Sequence, residues 1–210
     1  MVEQATIWRL LEWGYAKAVD GMPGIGSAEE LAAEYRKAPG NLHEQADALI
    51  RWQNAKCASV GFLTGLGGVL TLPVAVPANL SSVLYMQIRM ITAIACLGGH
   101  DVRDDKVKTL VFLCLCGSAA TELLKELSVK LGQHISRRML AKLSTQLLER
   151  TQQKIGAVLL RKFSEKGIAG LGRGVPLVGA LVGGTLDALA TYAIGEVAKR
   201  AFLGKEIEKY

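Results

Sequence analysis

Aromatic residues make up only 6% of this 210-residue chain, so Ala, Leu, Val and Gly carry the apolar load. That composition suits helices packed closely through small side chains. The three histidines, His43, His100 and His134, are scattered among polar segments, and the CLC of Cys114 and Cys116 has no second pair or histidine at zinc spacing. No metal site is expected. Cys57, Cys96, Cys114 and Cys116 all sit in apolar surroundings and read as buried, reduced thiols, which points to a reducing compartment. The glycine clusters lack what phosphate cradles need. GLGG has no Lys-Ser/Thr pair, and GLGRGVP has neither the full GxGxxG spacing nor a strand before it. No cofactor is expected.

Catalytic signals are missing too. There is no nucleophile elbow, and Ser59, Ser81, Ser82 and Ser118 have no acid-base partner that sequence supplies. The acidic cluster of Asp101, Asp104 and Asp105 beside His100 is the best place for a small polar site, and a solvated helix start accounts for it more simply. A non-enzyme is expected. Alternating, β-branched runs and short repeats are also absent, which excludes sheet and solenoid architectures. The N-terminal VEQATIWRLLEWGYAK lacks the basic, apolar and small-residue regions of a secretory signal, so a cytoplasmic chain is expected.

What is present is oil without charge. From Cys57 to Ile88 the chain carries no formal charge for about thirty residues, longer than the roughly 18 that raise the question of a membrane. Pro73 and Pro77 sit near the middle, and each removes a donor and biases its predecessor away from helix. A hairpin follows: a glycine-rich helix over 57–72, a PVAVPAN turn and a second helix over 80–97. Gly61, Gly65 and Gly68 leave one side of the first arm nearly bare, a spacing that suits close helix packing in lipid and in a soluble core alike. The second arm carries Gln87 and Arg89, which argue against full exposure to hydrocarbon, where a central Arg costs at least about 3 kcal/mol.

Around this hairpin the signals are helical. An amphipathic helix spans 3–19, with Ile7, Leu10, Leu11 and Ala18 beside Trp8, Trp13 and Tyr15. Ser27 and Glu30 form a capping box for a second helix that stops at Pro39 and Gly40. Asn41 caps a third, with Leu42, Ala46, Leu49, Ile50 and Trp52 at helical spacing. Asp101 and Asp104 start a helix over 105–131, whose thirteen-residue uncharged centre, TLVFLCLCGSAAT, is too short to span a bilayer and suits a buried core helix.

The second half is basic, with eighteen Lys or Arg against eleven acids over 101–210, compared with seven against eight before it. Over 136–164, Met139, Leu140, Leu143, Leu147, Ile155, Val158 and Leu159 alternate with cations, a long basic amphipathic region. Arg137, Arg138, Lys142, Lys154, Arg161 and Lys162 are its candidates for contact with an anionic surface, and an ordinary outer helix shows the same pattern. Few aromatics lie near these cations and no reading module is present, so nucleic acid is not an expected partner. A second glycine-rich element spans 175–193. Pro176 suits its start, and Gly179, Gly183 and Gly184 bare one side for packing against the first arm. Its lone acid, Asp187, is expected to pair with Arg89, the one cation inside the first apolar element.

The runs DGMPGIGSAEELAAEY, LIRWQNAKCASVGFLTGLGGVLTLPVAVPANLSSVLYMQIRMITAIACLGGHDV and VPLVGALVGGTLDALATY resemble the bacterial EcsC-like family over roughly residues 19–202. LPVAVPANLSSVLYMQIRMI and VPLVGALVGG are the most specific parts. The resemblance implies a fold and a setting near membrane complexes; it carries no catalytic residue and no cofactor. The expected fold is all-α, a compact multi-helix bundle of seven or eight helices built around the hairpin, as one domain over 1–210. Its parts are N-terminal amphipathic helices (1–56), hairpin (57–97), core and basic helices (98–173) and glycine-rich helix with tail (174–210).

The leading expectation is a cytoplasmic protein peripheral to the inner face of the cell membrane. Its apolar elements would bury acyl chains while the basic stretch contacts headgroups, making anionic lipid or a membrane complex its partner. Two alternatives stand beside it: a soluble regulatory or interaction subunit, and a pore-forming helical domain. The apolar hairpin serves all three, because burial in protein and burial in lipid demand the same residues.

Overall fold

Local capping chemistry sets the helix starts. The computed structural model describes residues 4–58, 78–131, 140, 142–171 and 176–204. Helix α1 runs Gln4–Asp20 and α2 Ala28–Arg36. Before α2 the Ser27 hydroxyl accepts from Glu30 N, while the Glu30 carboxylate accepts from Ser27 N at 2.7 Å, the expected capping box. Asn41 starts α3, Leu42–Ala58, by accepting from His43 N and Glu44 N, and Glu44 answers by accepting from Asn41 N. Cys57 and Ala58, expected to open a new helix, are the end of α3.

The second hairpin arm becomes α4, Ala78–Leu97. The first arm, with Gly61, Gly65, Gly68, Pro73 and Pro77, lies outside the described residues. After α4 a turn leads to Asp104, whose carboxylate caps Lys106 N at 2.8 Å. The single helix expected over 105–131 is in fact two, α5 over Asp105–Cys114 and α6 over Ser118–Leu131. Gly117 at φ +63° explains the break, because only a residue without a Cβ enters that left-handed turn without strain. The basic region over 136–164 contains both non-helical and helical residues among those described. Residues 142–144 are not helical, and α7 spans Thr145–Leu171. Helix α8, Pro176–Phe202, starts at the proline as expected and runs on past residue 193. Among the described residues there are eight helices and no strand, an all-α fold.

Helix α4 is the axis. From Leu84 to Ala95 every residue is buried, the pattern of a helix that is apolar all round. It packs against α1, α2, α3, α5 and α8, while α7 lies outside, on α5 and α1. Two glycines allow the closest approaches. A Cβ on Gly14 would meet Ile88 Cδ1 at 2.9 Å, and one on Gly195 would meet three Ile50 carbons at 2.7–2.9 Å. Trp8 and Tyr15 both close edge-on against Phe112, tying α1 to α5.

Candidate functional site

Contacts along α8 set the register of three neighbouring helices. Lys199 pairs with Asp47, and Gly195 abuts Ile50, so α3 and α8 run antiparallel. Gln87 donates to Thr191 Oγ1 at 2.9 Å, and Gly98 lies against the Phe202 carbonyl, so α4 and α8 run parallel. Gln53, Gln87 and Thr191 consequently fall at one level, a polar layer within the apolar centre. All three side chains are buried, and both polar atoms of Gln53 lack a hydrogen-bond partner.

Arg89 sits on another side of α4. Its Nε donates to Gly26 O at 2.8 Å and its Nη2 to Ser27 O at 3.4 Å, so the guanidinium holds the start of α2. Burial pulls its pKa below the usual arginine range, with Tyr85, Glu34 and Glu30 acting in the other direction. At the far end of α2, Arg36 donates to Cys96 O at 2.8 Å. Two guanidiniums thus clamp α2 to the axis. The Arg89 half of the expected pair with Asp187 is accounted for by these carbonyls; the Asp187 side chain lies outside the described residues.

The outer surface divides into two regions. On α7, Thr151, Ile155, Gly156 and Leu159 are buried, and Arg150, Lys154 and Arg161 are exposed. Gln152 also donates to Thr109 Oγ1 at 3.2 Å, fixing α7 on α5. Lys142 is exposed in the preceding turn. Arg137, Arg138 and the Lys162 side chain lie outside the described residues. Gly179, Gly183 and Gly184 lie within the α8 helix, and whether their bare side meets the first arm also falls outside them.

On α3 and α8 a few large apolar side chains face out, although Leu49, Ile50, Ile194 and Val197 of the same helices are buried. Trp52 is 53% exposed, Leu189 68% and Tyr192 48%. Lys56 Nζ stands 5.2 Å over the Trp52 ring, a cation–π pair. Farther along, Lys199 joins Asp47 and, at 3.2 Å, Glu196. Burial would lower the Lys199 pKa, but its hydrogen bonds to Asp47 and Glu196 outweigh that and hold it above the ordinary lysine value. Sequence reading placed Trp52 at helical spacing with Leu42, Ala46, Leu49 and Ile50 and did not single out Leu189 or Tyr192. A usable signal exists: Tyr192, Glu196 and Arg200 recur every four residues, so the face of α8 that bears two charges also bears the tyrosine.

A third feature is a shallow groove of about 250 Å³ between α1 and the start of α5. Tyr15, Ala16, Val19 and Val102 line it with Glu12, Asp20, Arg103, Asp105 and Lys108. Its charges answer one another: Arg103 meets Asp20 at 3.4 Å, and Lys108 meets Glu12 at 3.3 Å and Asp105 at 3.0 Å. The Tyr15 hydroxyl donates to Val102 O at 2.6 Å, and burial, with nearby Cys96 and carboxylates, pushes that phenol well up. The neighbouring acids are structural as well, since Asp101 accepts from Arg103 N and Asp104 caps α5.

The cysteines divide by depth. Cys114 and Cys116 are buried, Cys96 is half-buried, and all three are free thiols. Burial, reinforced by Glu29, raises Cys96 to about 11 despite Arg36, and burial pushes Cys114 up further. Neither is a ready nucleophile. Among the described residues no cluster of His, Cys, Asp and Glu could hold a metal, and no helix is long and apolar enough to cross a membrane.

An all-helical body wound round a sheathed apolar helix, with greasy glycine-bearing elements at residues 57–97 and 174–210, defines the class. The chain belongs to the EcsC protein family, whose family model matches residues 40–203, beginning just ahead of α3 and leaving α1 and α2 outside the match. No curated protein and no solved structure gives a significant match.

Proposed function

We propose that this chain is a non-enzymatic helical protein that associates with anionic lipid at the cytoplasmic side of a membrane, as an accessory to a membrane complex. One observation carries the reading: Leu189 and Tyr192 stand exposed on a helix whose opposite side is core. Exposed large apolar groups that cluster mark interaction surfaces. The +6 net charge adds attraction toward anionic headgroups. Support for catalysis is lacking by comparison, since the groove between α1 and α5 is occupied by mutual ion pairs.

Flotation with vesicles tests the reading. The full chain is expected to rise with vesicles containing phosphatidylglycerol and to stay behind with phosphatidylcholine alone, with binding that weakens as salt increases. Failure to float with either composition would end it.

A second reading, a soluble interaction module, is favoured by one specific feature. The α4 arm is enclosed by five helices, and its Gln87 and Arg89 are committed to Thr191 and to the start of α2, as in an ordinary soluble core. Recovery of one stoichiometric partner after detergent washing, without lipid binding, would select it.

A further inference from the structure

We infer that the level of the bundle shared by Gln53, Gln87 and Thr191 is a binding site for internal water, with the Gln53 side-chain amide as its principal contact. The inference is independent of the lipid-binding reading and holds whether or not the chain meets a membrane.

Register puts the polar groups together. Asp47 against Lys199 and Ile50 against Gly195 fix α3 antiparallel to α8. Gln53 and Asn54 follow Ile50 by three and four residues, so they occupy the next turn on the same side of α3. Thr191 precedes Gly195 by four, which places it on the side of α8 that faces that turn. Gln87 arrives from α4, its amide donating to Thr191 Oγ1 at 2.9 Å. Three mutually packed helices thus each bring a buried polar side chain to one height in an apolar centre.

Gln53 is the group left unanswered. It is 1% exposed, and neither its Nε2 nor its Oε1 has a hydrogen-bond partner. Turning the amide over exchanges the two atoms and leaves both unmet, so the orientation of the group is not the cause. The neighbouring Asn54 Oδ1 is a third unmet atom, an acceptor. Gln45 also keeps an unmet Oε1, but its Nε2 lies within reach of the carbonyls of Arg36, Ala38 and Gly40. Among the described residues Gln53 is the only amide with both ends unmet. Each buried polar group without a partner weakens folding by a factor of about 5 to 150, and Gln53 has two. Water answers this set of atoms, because it both donates and accepts and makes about three hydrogen bonds in internal sites. The described side chains at this level, Gln53, Asn54, Gln87 and Thr191, are neutral, which suits a neutral hydrogen-bonding ligand. Thr191 and Ala188, which continue the Gly195 side of α8, are both small, so neither sets bulk against the amide.

Nuclear magnetic resonance on the full chain with isotopically labelled glutamine side chains reads the site directly. Water-selective cross-relaxation is expected to reach the Gln53 Nε2 protons with the sign of a long-lived contact, the pair being assigned by its loss in Gln53→Met. The signal should persist in Thr191→Val, which removes the exchanging hydroxyl at this level. A Gln53 amide that receives no transfer from water would overturn the site. Equilibrium unfolding asks the same question by energy. A hydrated amide is already satisfied, so Gln53→Met is expected to keep the folding constant within about threefold of the unaltered chain or to lower it. A rise of about tenfold or more would reveal a dry, unsatisfied amide and overturn the site. Should Gln53→Met fail to fold by circular dichroism, a crystal structure of the unaltered chain decides alone. A water about 3 Å from the Gln53 amide supports the site. A protein group in that place, the Asp187 carboxylate included, overturns it.

Discussion

Helices α7 and α8 are both 27 residues long and belong to the same basic half of the chain, yet they distribute their apolar residues differently. Helix α7 sorts cleanly, with Ile155 and Leu159 inside and Lys154 and Arg161 outside. Helix α8 buries Ile194, Val197 and Phe202 together with Thr191, and also exposes Leu189 and Tyr192. An outer helix with one supporting side has to separate polar from apolar, because each side meets a single medium. Helix α8 touches α3, α4, α5 and α6, so most of its circumference is packed, and its outer strip mixes Leu189 and Tyr192 with Glu196 and Arg200. Its surface is a better guide to interaction than its core.

The sharpest way to break that contrast is to excavate the supported side of α7. Leu159 is fully buried, and Leu159→Ala removes its methyl groups from a packed site, so a loss of about 3 kcal/mol is expected in denaturant unfolding. A loss below about 1 kcal/mol would mean that α7 is loosely applied to α5 and α1.

Overfilling α8 should come next. The Cβ of Gly195→Val would stand inside the contact distance of three Ile50 carbons, and overpacking of this kind costs about 2 kcal/mol. Combining it with Ile50→Ala should restore part of that loss, since the second change clears the space. No recovery in the double variant would show that the strain lies in the α8 backbone and not at the α3 contact.

A smaller effect is expected from Thr191→Val. It keeps the shape and removes the acceptor of the Gln87 amide, leaving a buried donor unmet at a cost of about 1–2 kcal/mol. Gln87→Leu in the same background should return most of this, because the orphaned group is then gone.

The reach of sequence reading follows the same division. The capping signals of Ser27, Glu30 and Asn41 act within three residues, so their helix starts were legible and are found. The helix expected over 80–97 was legible, and its burial too, because its polar residues Gln87 and Arg89 require protein around them. The break at Gly117 was missed because an apolar stretch looks the same whether a helix passes through it or turns within it. In the basic region the alternating composition does not register where helix stops, as at residues 142–144. The partners of Arg89 were hidden, because backbone carbonyls have no signature in composition. The pairing of α3 with α8 was hidden because it depends on a contact of Asp47 with Lys199, residues 152 positions apart.

The smallest expected effects on stability carry the most information about function. Leu189→Ser and Lys154→Glu both alter exposed side chains, so each should change unfolding free energy by less than about 0.5 kcal/mol. Thermal denaturation should therefore not tell the two variants apart. If the exposed strip of α8 were only surplus oil, removing Leu189 would improve solubility and do nothing else. If it is the contact surface, the variant folds normally and loses vesicle binding, while Lys154→Glu, changed on the helix that looks the more membrane-seeking by its charges, keeps it. Destabilisation by Leu189→Ser beyond about 1 kcal/mol would show instead that the leucine supports the fold, and the contrast between the two helices would then lie only in composition.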